Sequence, residues 1–499
     1  MTDDAAISIA KNTTVMMASQ AVTWISSFVL MLVLPRHLGS GDYGRLYLAV
    51  SLTMIFQIVI DFGGTYFIPK EVARERNGAS QLAVHSIILR SILWFLSLCA
   101  MLLIAFWAGY SEYVTVLILI LGTAKLWEGA GKVLTSCFQG FEMMQYPSRA
   151  AIAEKIFVTS LGVAALLLGA HALTIAMLMA LSTLLNFFMT ARYSRKFLHF
   201  SLRVEWEKIL SLLKTGAPYF LWSVFAVIYY RVDTVMLSFM TPDAVVGWYG
   251  AAYRFFDTLM FLPSIFSWAV FPVLSRLQAA SAGNLSSVTC KSIDVMVLTG
   301  IPISIAIFAF SRDIISLFFG LAEYQPSILL LKIFSVGLVL VYVDFILGAA
   351  LFASDRQRLW TVVAFGAMIF NPLVNYLMIP YTQSHFGNGG IGAAVATLIT
   401  EFGVMAMALC ITPKNLLSAA RPIVQIKSIA AGLLMAITIF ALRSTQLHWI
   451  AQAAVGAFVY GSALLLLRAL SGPELEFFKS FFSVRNLKST FYATKEGAT

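Results

Sequence analysis

Apolar segments of about 20 residues follow one another along almost the whole chain, separated by short stretches of glycine, proline and charge. A helix of that length crosses the hydrocarbon core of a bilayer. Apolar residues make up 60% of the 499 positions and charged residues only 12%, whereas soluble domains carry about 25% charged residues. The sequence therefore excludes a soluble protein and predicts an all-α polytopic membrane protein.

Apolar runs bounded by glycine, proline and charge predict about fourteen transmembrane helices. They lie near residues 13–35, 44–68, 83–108, 113–138, 150–169, 172–191, 216–239, 246–273, 293–311, 326–353, 360–380, 389–411, 424–443 and 448–469. The first run is long and follows an acidic start, so we expect a retained span rather than a cleaved signal peptide.

The distribution of positive charge predicts how the chain is oriented. With the N-terminus inside, the predicted cytoplasmic segments carry 23 Lys and Arg, and the outer loops carry only Arg36, Arg45, Arg312 and Arg443. Cytoplasmic loops are the positive ones in membrane proteins. Both termini are therefore predicted to be cytoplasmic. The net charge of +10 is an orientation signal, which excludes nucleic acid as a partner.

An internal repeat relates the two halves of the chain. Gly44 and Gly247 each open a predicted span, and each is followed 25 residues later by a proline, Pro69 or Pro272. The offset covers six spans, so the halves share one orientation and form a parallel pseudo-two-fold repeat. The predicted domains are an N-lobe at 1–197 (spans 1–6), a linker helix at 198–215, a C-lobe at 216–411 (spans 7–12), two extra spans at 412–470 and a cytoplasmic tail at 471–499.

The linker is the most basic internal connection. Apolar residues at helical spacing, Trp206, Ile209, Leu210 and Leu213, predict an interfacial helix that joins the lobes. An ordinary basic loop is the alternative.

Motifs for nucleotide hydrolysis and for catalysis are missing from the sequence. The stretch Gly129-Ala-Gly131-Lys132 lacks the leading glycine and the final hydroxyl of a phosphate-binding loop. The outer loops are too short for a catalytic pair, and the four cysteines lack metal-ligand spacing. We therefore expect a secondary transporter, not an enzyme, with no cofactor and no metal.

Charged residues inside the predicted spans cost at least ~2.5–3.5 kcal/mol each at mid-helix and mark cavities or partners. Lys125, Glu128 and Lys132 share one stripe of span 4. They form either a self-neutralised triplet between helices or a cationic wall. Arg90 lies near a predicted span end, together with Glu154, Lys155 and Lys332, so we expect these four side chains to reach the interface.

Spans 7 and 8 carry charged and aromatic residues at their facing ends. These are Tyr229, Tyr230, Arg231, Asp233, Tyr249, Tyr253, Arg254 and Asp257. An Arg–Asp pair joining the two spans is one interpretation, and a charged aromatic surface of a cavity is the other.

Three carboxylates, Asp61, Asp344 and Glu401, stand isolated within spans, where each is expected to be protonated or to bind a cation. The candidates for a coupling ion, H⁺ or Na⁺, are Asp61, Glu128, Asp233, Asp257, Asp344 and Glu401. In span 11, Pro372 between Asn371 and Asn375 predicts a hinge. Hydrogen bonding between helices is the alternative role of the two amides.

Several stretches resemble a known family. They are Leu34–Gly39 with Tyr43-Gly44, Asp61-Phe-Gly63, Tyr230–Asp233, Gly247–Arg254, Phe271–Ser275, Asn371–Pro380 and Gly390–Thr397. The sequence resembles the polysaccharide-transport family of the multidrug/oligosaccharidyl-lipid/polysaccharide superfamily, which comprises flippases of O-antigen, capsule and exopolysaccharide repeat units.

The resemblance implies transport of a polyprenyl-pyrophosphate-linked oligosaccharide to the outer leaflet of the cytoplasmic membrane by alternating access. Cations at Lys125, Lys132, Arg231 and Arg254 would then counter the pyrophosphate, and Trp127, Tyr229, Tyr230, Tyr249 and Tyr253 would face the sugars. Membrane lipid and polysaccharide polymerase or assembly proteins are the expected partners. A cation-coupled multidrug exporter, a peptidoglycan-precursor flippase and a membrane glycan polymerase or ligase stay open as alternatives.

Overall fold

The structure, a computed structural model, describes residues 3–198, 204–280, 282–354, 356–420 and 422–469. These residues form helices joined by short turns, and they contain no strand, which confirms the all-α class. The α-helices are α1 Asp3–Asp61, α2 Gly64–Arg74, α3 Ala79–Trp107, α4 Glu112–Gly140, α5 Gln145–Leu167, α6 Ala172–Ser194, α7 Trp206–Met240, α8 Asp243–Leu259, α9 Phe261–Ala280, α10 Ala282–Phe318, α11 Leu321–Tyr324, α12 Ser327–Ala353, α13 Gln357–Phe386, α14 Gly389–Ile411, α15 Pro422–Leu442 and α16 Trp449–Leu466.

Each predicted span falls on one or two of these helices, but helices and spans do not correspond one to one. Spans 1 and 2 lie on α1 and α2, and span 8 lies on α8 and α9. Among the described residues, 11 helices are long and apolar enough to cross a membrane, or 12 if a pair bent by 41° within α7 is one span. The number of fourteen crossings and the orientation of the termini stay predictions.

Turns fall where the sequence places glycine between apolar runs. Inside α1 the backbone leaves helical geometry at Gly39, with φ 75° and ψ 168°, a conformation that only glycine adopts at little cost. This break separates the predicted spans 1 and 2. The predicted boundary between spans 5 and 6 is confirmed, because α5 ends at Leu167 and α6 begins at Ala172.

A second break divides the predicted span 2 between α1 and α2. Phe62 and Gly63 both have positive φ, 44° and 74°, which is uncommon for an aromatic residue. The Phe62 ring stacks on Phe220 of α7 with ring centroids 4.4 Å apart. The Phe62 carbonyl oxygen lies so close to Gly216 of α7 that a side chain at 216 would overlap it. Contact with α7 therefore accompanies this bend.

The predicted linker helix is not a separate element in the described residues. Residues 199–203 of that prediction lie outside them, and the rest forms the start of α7. Ile209 and Leu212 are buried in a core that includes Phe67 and Val72 of α2. The apolar face that we expected at a membrane surface thus packs partly against protein, and this packing continues the helix into the span.

The chain divides into two compact units. The first contains Met1–Ala251, Phe318–Glu323 and Pro372–Gly392, and the second contains Ala252–Leu317, Tyr324–Asn371 and Ala393–Thr499. In the second unit, the hydroxyls of Tyr342 and Tyr460 donate to the carbonyls of Leu259 and Leu298, each at 3.0 Å. The division into two lobes with extra C-terminal spans stays a prediction.

Candidate functional site

An ion pair marks the bend between α1 and α2 in the first unit. Asp61 ends α1, and its carboxylate accepts hydrogen bonds from the Thr65 hydroxyl at 2.7 Å and from the Thr65 amide at 3.2 Å. The same carboxylate lies 2.5 Å from the Arg90 guanidinium of α3. Asp61 thus caps the start of α2 and neutralises a buried cation. The expectation that Asp61 is isolated is wrong.

Arg90 lies inside the protein instead of reaching the membrane interface. Its side chain is 3% exposed, and it donates a second hydrogen bond to the Gly129 carbonyl of α4 at 2.8 Å. The expectation that it reaches toward water is wrong, because an acidic partner and a backbone carbonyl satisfy it in place. Sequence reasoning missed this pair, since Asp61 and Arg90 lie on different helices.

The lysine stripe, Lys125, Glu128 and Lys132 of α4, lies on one face of its helix as predicted. Glu128 bridges the two lysines, with distances of 2.7 Å to the Lys125 Nζ and 2.8 Å to the Lys132 Nζ. Lys125 is mostly buried, whereas the Lys132 side chain is 43% exposed. The two lysines share one carboxylate, so one positive charge of the stripe is not neutralised within it.

Glu154 and Lys155 of α5 lie next to each other with 3.5 Å between their charged atoms. The Asn186 amide of α6 donates to Glu154 at 2.8 Å. This contact between α5 and α6 holds Glu154 inside the first unit. The prediction that the Glu154 side chain reaches the membrane interface did not include such a partner. Lys332 of the second unit lies 5.4 Å from the ring centre of Phe308.

Asp233 of α7 is buried and accepts two hydrogen bonds within the first unit. The Tyr249 hydroxyl donates to it at 2.8 Å, and the Asn375 amide of α13 donates at 2.5 Å. Tyr249 belongs to the predicted span 8, so spans 7 and 8 are joined through Tyr249 to Asp233. Asn375 acts between helices, as the alternative for span 11 stated, and α13 runs through Pro372 as one helix.

The predicted aromatic residues differ in how accessible they are. Tyr249 and Tyr253 are each 1% exposed and Tyr229 is buried, so in this conformation these three rings offer no free face to a ligand. Trp127 is half-buried, with its ring centroid 5.3 Å from that of Phe187. Tyr230 is half-buried and lies beside Tyr229, at 4.8 Å between centroids.

Arg231 of the first unit is half-buried, as are Arg254 and Asp257 of the second. Their role in a cavity stays a prediction.

An acidic pair, Asp344 of α12 and Glu401 of α14, lies in the second unit. The two residues are 5% and 2% exposed, and their carboxyl groups interact electrostatically. Neither carboxyl oxygen of Asp344 has a hydrogen-bond partner among the described residues. The expectation that these two acids are isolated is therefore wrong, because each lies within reach of the other's charge. Among the residues that the structure describes, no group of three His, Cys, Asp or Glu side chains is arranged to hold a metal ion.

Two family models match long parts of the chain. A model described as polysaccharide biosynthesis protein matches residues 9–278, and one described as lipid II flippase MurJ matches residues 150–468. Each match covers more than half of the 499 residues. The chain belongs to the MOP superfamily of flippases. This family agrees with the resemblance that the sequence motifs indicate.

Individual relatives agree with this family. A probable flippase, AglR, of Haloferax volcanii is 26% identical over 257 residues, 48% of this chain and 50% of its own length. The chain thus spans about half the length of the curated relative that it matches. The structure of the lipid II flippase MurJ in an inward closed conformation has a TM-score of 0.75 at 15% identity, covering 92% of this chain and 99% of that one.

A more distant structural match shows the same fold. An inward-facing multidrug resistance transporter of the MATE family, within the MOP superfamily, has a TM-score of 0.57 at 17% identity, covering 80% of this chain and 94% of its own. These likenesses show that the chain has the fold of these transporters.

Proposed function

We propose that this flippase moves a polyprenyl-pyrophosphate-linked oligosaccharide repeat unit across the cytoplasmic membrane for the assembly of a surface polysaccharide. The observation that supports the proposal is the lysine stripe on the predicted span 4, in which two lysines share the single carboxylate of Glu128. An uncompensated anion in an apolar cavity costs tens of kcal/mol by idealised solvation arguments, so a carrier for such a head group needs a cation there.

Lys132 is the residue that supplies this cation. Lys125 is mostly buried against Glu128, whereas Lys132 is exposed enough to turn toward a ligand while Glu128 keeps Lys125 as its partner. The Asp61–Arg90 pair is neutral as a whole and has a structural role in this mechanism. Arg231 is a further cation of the proposed cavity in the first unit, and the half-buried rings of Trp127 and Tyr230 are its faces for sugar.

The acidic pair is the proposed site of coupling to an ion. Two carboxyl groups buried together need a positive charge to compensate them, and a proton or a Na⁺ ion entering from outside supplies it. The membrane potential adds to this drive, because moving one negative charge outward is favoured by ~2.3 kcal/mol per 100 mV. Asp61, Glu128 and Asp233 are less suitable coupling sites, since each is already held by the neighbours described above.

The experiment replaces Lys132 with alanine and measures flipping of a pyrophosphate-linked oligosaccharide in vesicles at matched protein content. A charge-assisted contact contributes ~1.5–3 kcal/mol, so we expect flipping to fall by about tenfold or more. Lys125→Ala is expected to have a smaller effect. The matched control is Lys208→Ala, which removes an exposed lysine from a similar pair with Glu205 at 2.9 Å in the same unit. Normal flipping by both stripe variants would refute the assignment.

The coupling proposal has its own test, in which Asp344→Asn is compared with the parent protein under imposed pH and Na⁺ gradients. We expect the parent to respond to one gradient and the variant to lose that response. A parent protein indifferent to both gradients would remove the acidic pair from the mechanism and leave the lysine stripe untouched.

Transport of a peptidoglycan precursor is the second candidate, and the match to the lipid II flippase model over residues 150–468 favours it. Both candidate substrates carry a pyrophosphate on a polyprenyl chain, so the lysine stripe serves either. Vesicles loaded with one substrate or the other distinguish them. If the protein is a drug exporter, neither substrate is flipped. If it is a polymerase or ligase, the products contain new glycosidic or protein linkages.

A further inference from the structure

Three segments that lie far apart in the sequence meet at one end of the first unit. They are α2, the last turn of α6 with the residues that follow it, and the start of α7. Each contributes to one buried core, through Phe67 and Val72 of α2, through Leu198 after α6, and through Ile209 of α7. The outer surfaces of the three segments therefore lie around the same core.

Polar contacts with α3 hold the start of α7 in place. His85 of α3 is buried, and its Nε2 accepts a hydrogen bond from the Glu205 amide at 3.1 Å. The Lys208 ammonium donates to the Gln81 side chain at 3.2 Å. These contacts and the buried Ile209 fix which face of the helix points inward. The side chains on its other face therefore have a fixed position at the surface.

That other face of α7 is apolar. Trp206 and Leu210 lie one turn apart on it, and both side chains are more than half exposed. Tryptophan is enriched where the hydrocarbon of a bilayer meets its head groups. This exposed pair therefore fits the boundary of a membrane better than it fits water.

The depth of the pair agrees with that position. Leu210 lies six residues before residue 216, the predicted start of span 7, which is about 9 Å along a helix. The head-group region extends about 5–8 Å beyond the hydrocarbon on each side of a bilayer. Because α7 continues without a break from Trp206 to Met240, the pair lies at the level of the head groups.

Exposed basic residues accompany the pair on all three segments. Residues 64–76, 192–198 and 205–214 contain eight Lys and Arg but only four Glu. The exposed basic side chains are those of Lys70, Arg74, Arg76, Arg192, Arg195, Lys196, Lys208 and Lys214. Arg74 lies 3.4 Å from Glu71, and Lys208 lies 2.9 Å from Glu205. In the part of the chain that the structure describes, none of the other six has a carboxylate within ion-pair distance.

We infer that Trp206, Leu210 and these eight basic residues bind the head groups of anionic phospholipids in the leaflet that they face. We call this set the lipid-binding surface. The positive charge pattern predicts that this end of the unit is cytoplasmic, and the cytoplasmic leaflet is the one rich in anionic lipid. Clusters of about four to eight Lys and Arg beside a membrane helix attract such lipid. This binding is separate from the proposed function, because it concerns bulk lipid and holds whatever substrate is carried.

The experiment measures which lipid lies beside α7. A Leu210→Cys protein without other cysteines is labelled with a small fluorophore and reconstituted in phosphatidylcholine vesicles. The vesicles contain spin-labelled phosphatidylglycerol or spin-labelled phosphatidylcholine, each with the label near its head group, where it quenches the fluorophore on contact. We expect phosphatidylglycerol to quench at about a tenfold lower mole fraction, because several basic residues near the surface favour anionic lipid together.

Two matched variants test the basic residues. Lys196→Gln with Lys214→Gln removes one unpaired charge from each of two segments, and we expect the preference for phosphatidylglycerol to fall by at least half while phosphatidylcholine still quenches. The control is Arg358→Gln with Lys414→Gln, two exposed basic residues of the second unit in segments also predicted to be cytoplasmic. We expect the control to keep the preference. Equal loss in both double variants would overturn the inference, because net charge alone would then attract the lipid.

The comparison of the two lipids in the otherwise unchanged protein needs no charge variant, so it is decisive even if a variant does not fold. Equal quenching by both lipids there contradicts specific binding. Absence of quenching by either lipid would place residue 210 in water and favour an acidic soluble partner in place of lipid. None of these measurements involves flipping, so a failure of the proposed function is seen separately.

Discussion

Arg90 shows what a membrane protein needs in order to keep a charge away from water. The side chain is almost fully buried, and its guanidinium has two acceptors, the Asp61 carboxylate and the Gly129 carbonyl. Burial of an ion is costly even when it is paired, and removal of one partner leaves the other charge uncompensated. The net contribution of the pair to stability is therefore smaller than the loss of stability that follows when one partner alone is removed.

Asp61→Asn is expected to lower the free energy of unfolding by about 3 kcal/mol or more, because it leaves Arg90 buried without a counter-charge. Thermal unfolding of the detergent-purified protein measures this loss. The control is Asp313→Asn, since Asp313 and Arg443 form an exposed pair at 3.4 Å and such pairs contribute ~0–1 kcal/mol. Joint replacement of Asp61 with Leu and Arg90 with Met should restore most of the stability, and failure to do so would contradict the assignment.

At this scale the sequence predicts contacts along one helix and misses those between helices. The spacing of Lys125, Glu128 and Lys132 on α4 is enough to place them on one stripe. Asp61 and Arg90 are 29 residues apart on α1 and α3, and no periodicity connects them. Asp344 and Glu401 are likewise brought together only by the packing of their helices.

The helix break between α1 and α2 lies where backbone approaches backbone. At the bend between α1 and α2, the Phe62 carbonyl touches α7 at Gly216, and Gly63 approaches the Gly216 carbonyl. Close approach of this kind is possible only where side chains are absent. The bend positions Asp61 for both of its roles, so the geometry of the ion pair depends on a glycine that lies far away in the sequence.

Gly216→Ala is expected to destabilise the protein by ~1–3 kcal/mol, because the overlapping atom is a backbone oxygen that cannot rotate away. The same substitution at Gly403 of α14 meets open space and should instead stabilise its helix by ~0.5–1 kcal/mol. Chemical or thermal unfolding in micelles compares the two proteins. Equal effects of the same sign would contradict the described packing.

The helices themselves could be predicted from the sequence, since runs of apolar residues between glycine and charge mark them, as at Gly169. Whether one helix continues through a predicted boundary is harder to predict from the sequence. The basic stretch before residue 216 looked like a surface helix, but α7 extends through it because Ile209 and Leu212 find a protein core. Where a helix ends depends on what packs beside it, which hydropathy does not record.

For the molecule as a whole, two predictions depend on the number and order of the spans: the orientation inferred from the positive charges, and the parallel repeat inferred from the glycines. The pattern requires an even number of crossings between segments of like charge. The family and the fold support a multi-pass membrane protein, and its orientation is tested by labelling from one side of the membrane.

Cysteines placed in two loops test the orientation in a cysteine-free background. Ser444 follows Arg443 in a loop predicted to be outside, and Asn415 lies in one predicted to be inside. Both residues are exposed. We expect Ser444→Cys to react with an impermeant maleimide in intact cells and Asn415→Cys to react only after permeabilisation. The reverse pattern would invert the predicted topology.

Gly44 and Gly247 constrain each other. A side chain at 44 would overlap the carbonyl oxygen of Asp243, and one at 247 would overlap that of Ser40, so each glycine meets the residue four positions before the other. Any side chain larger than hydrogen at either position pushes the same two segments apart. The two positions are therefore expected to tolerate substitution jointly or not at all, although 203 residues separate them in the sequence.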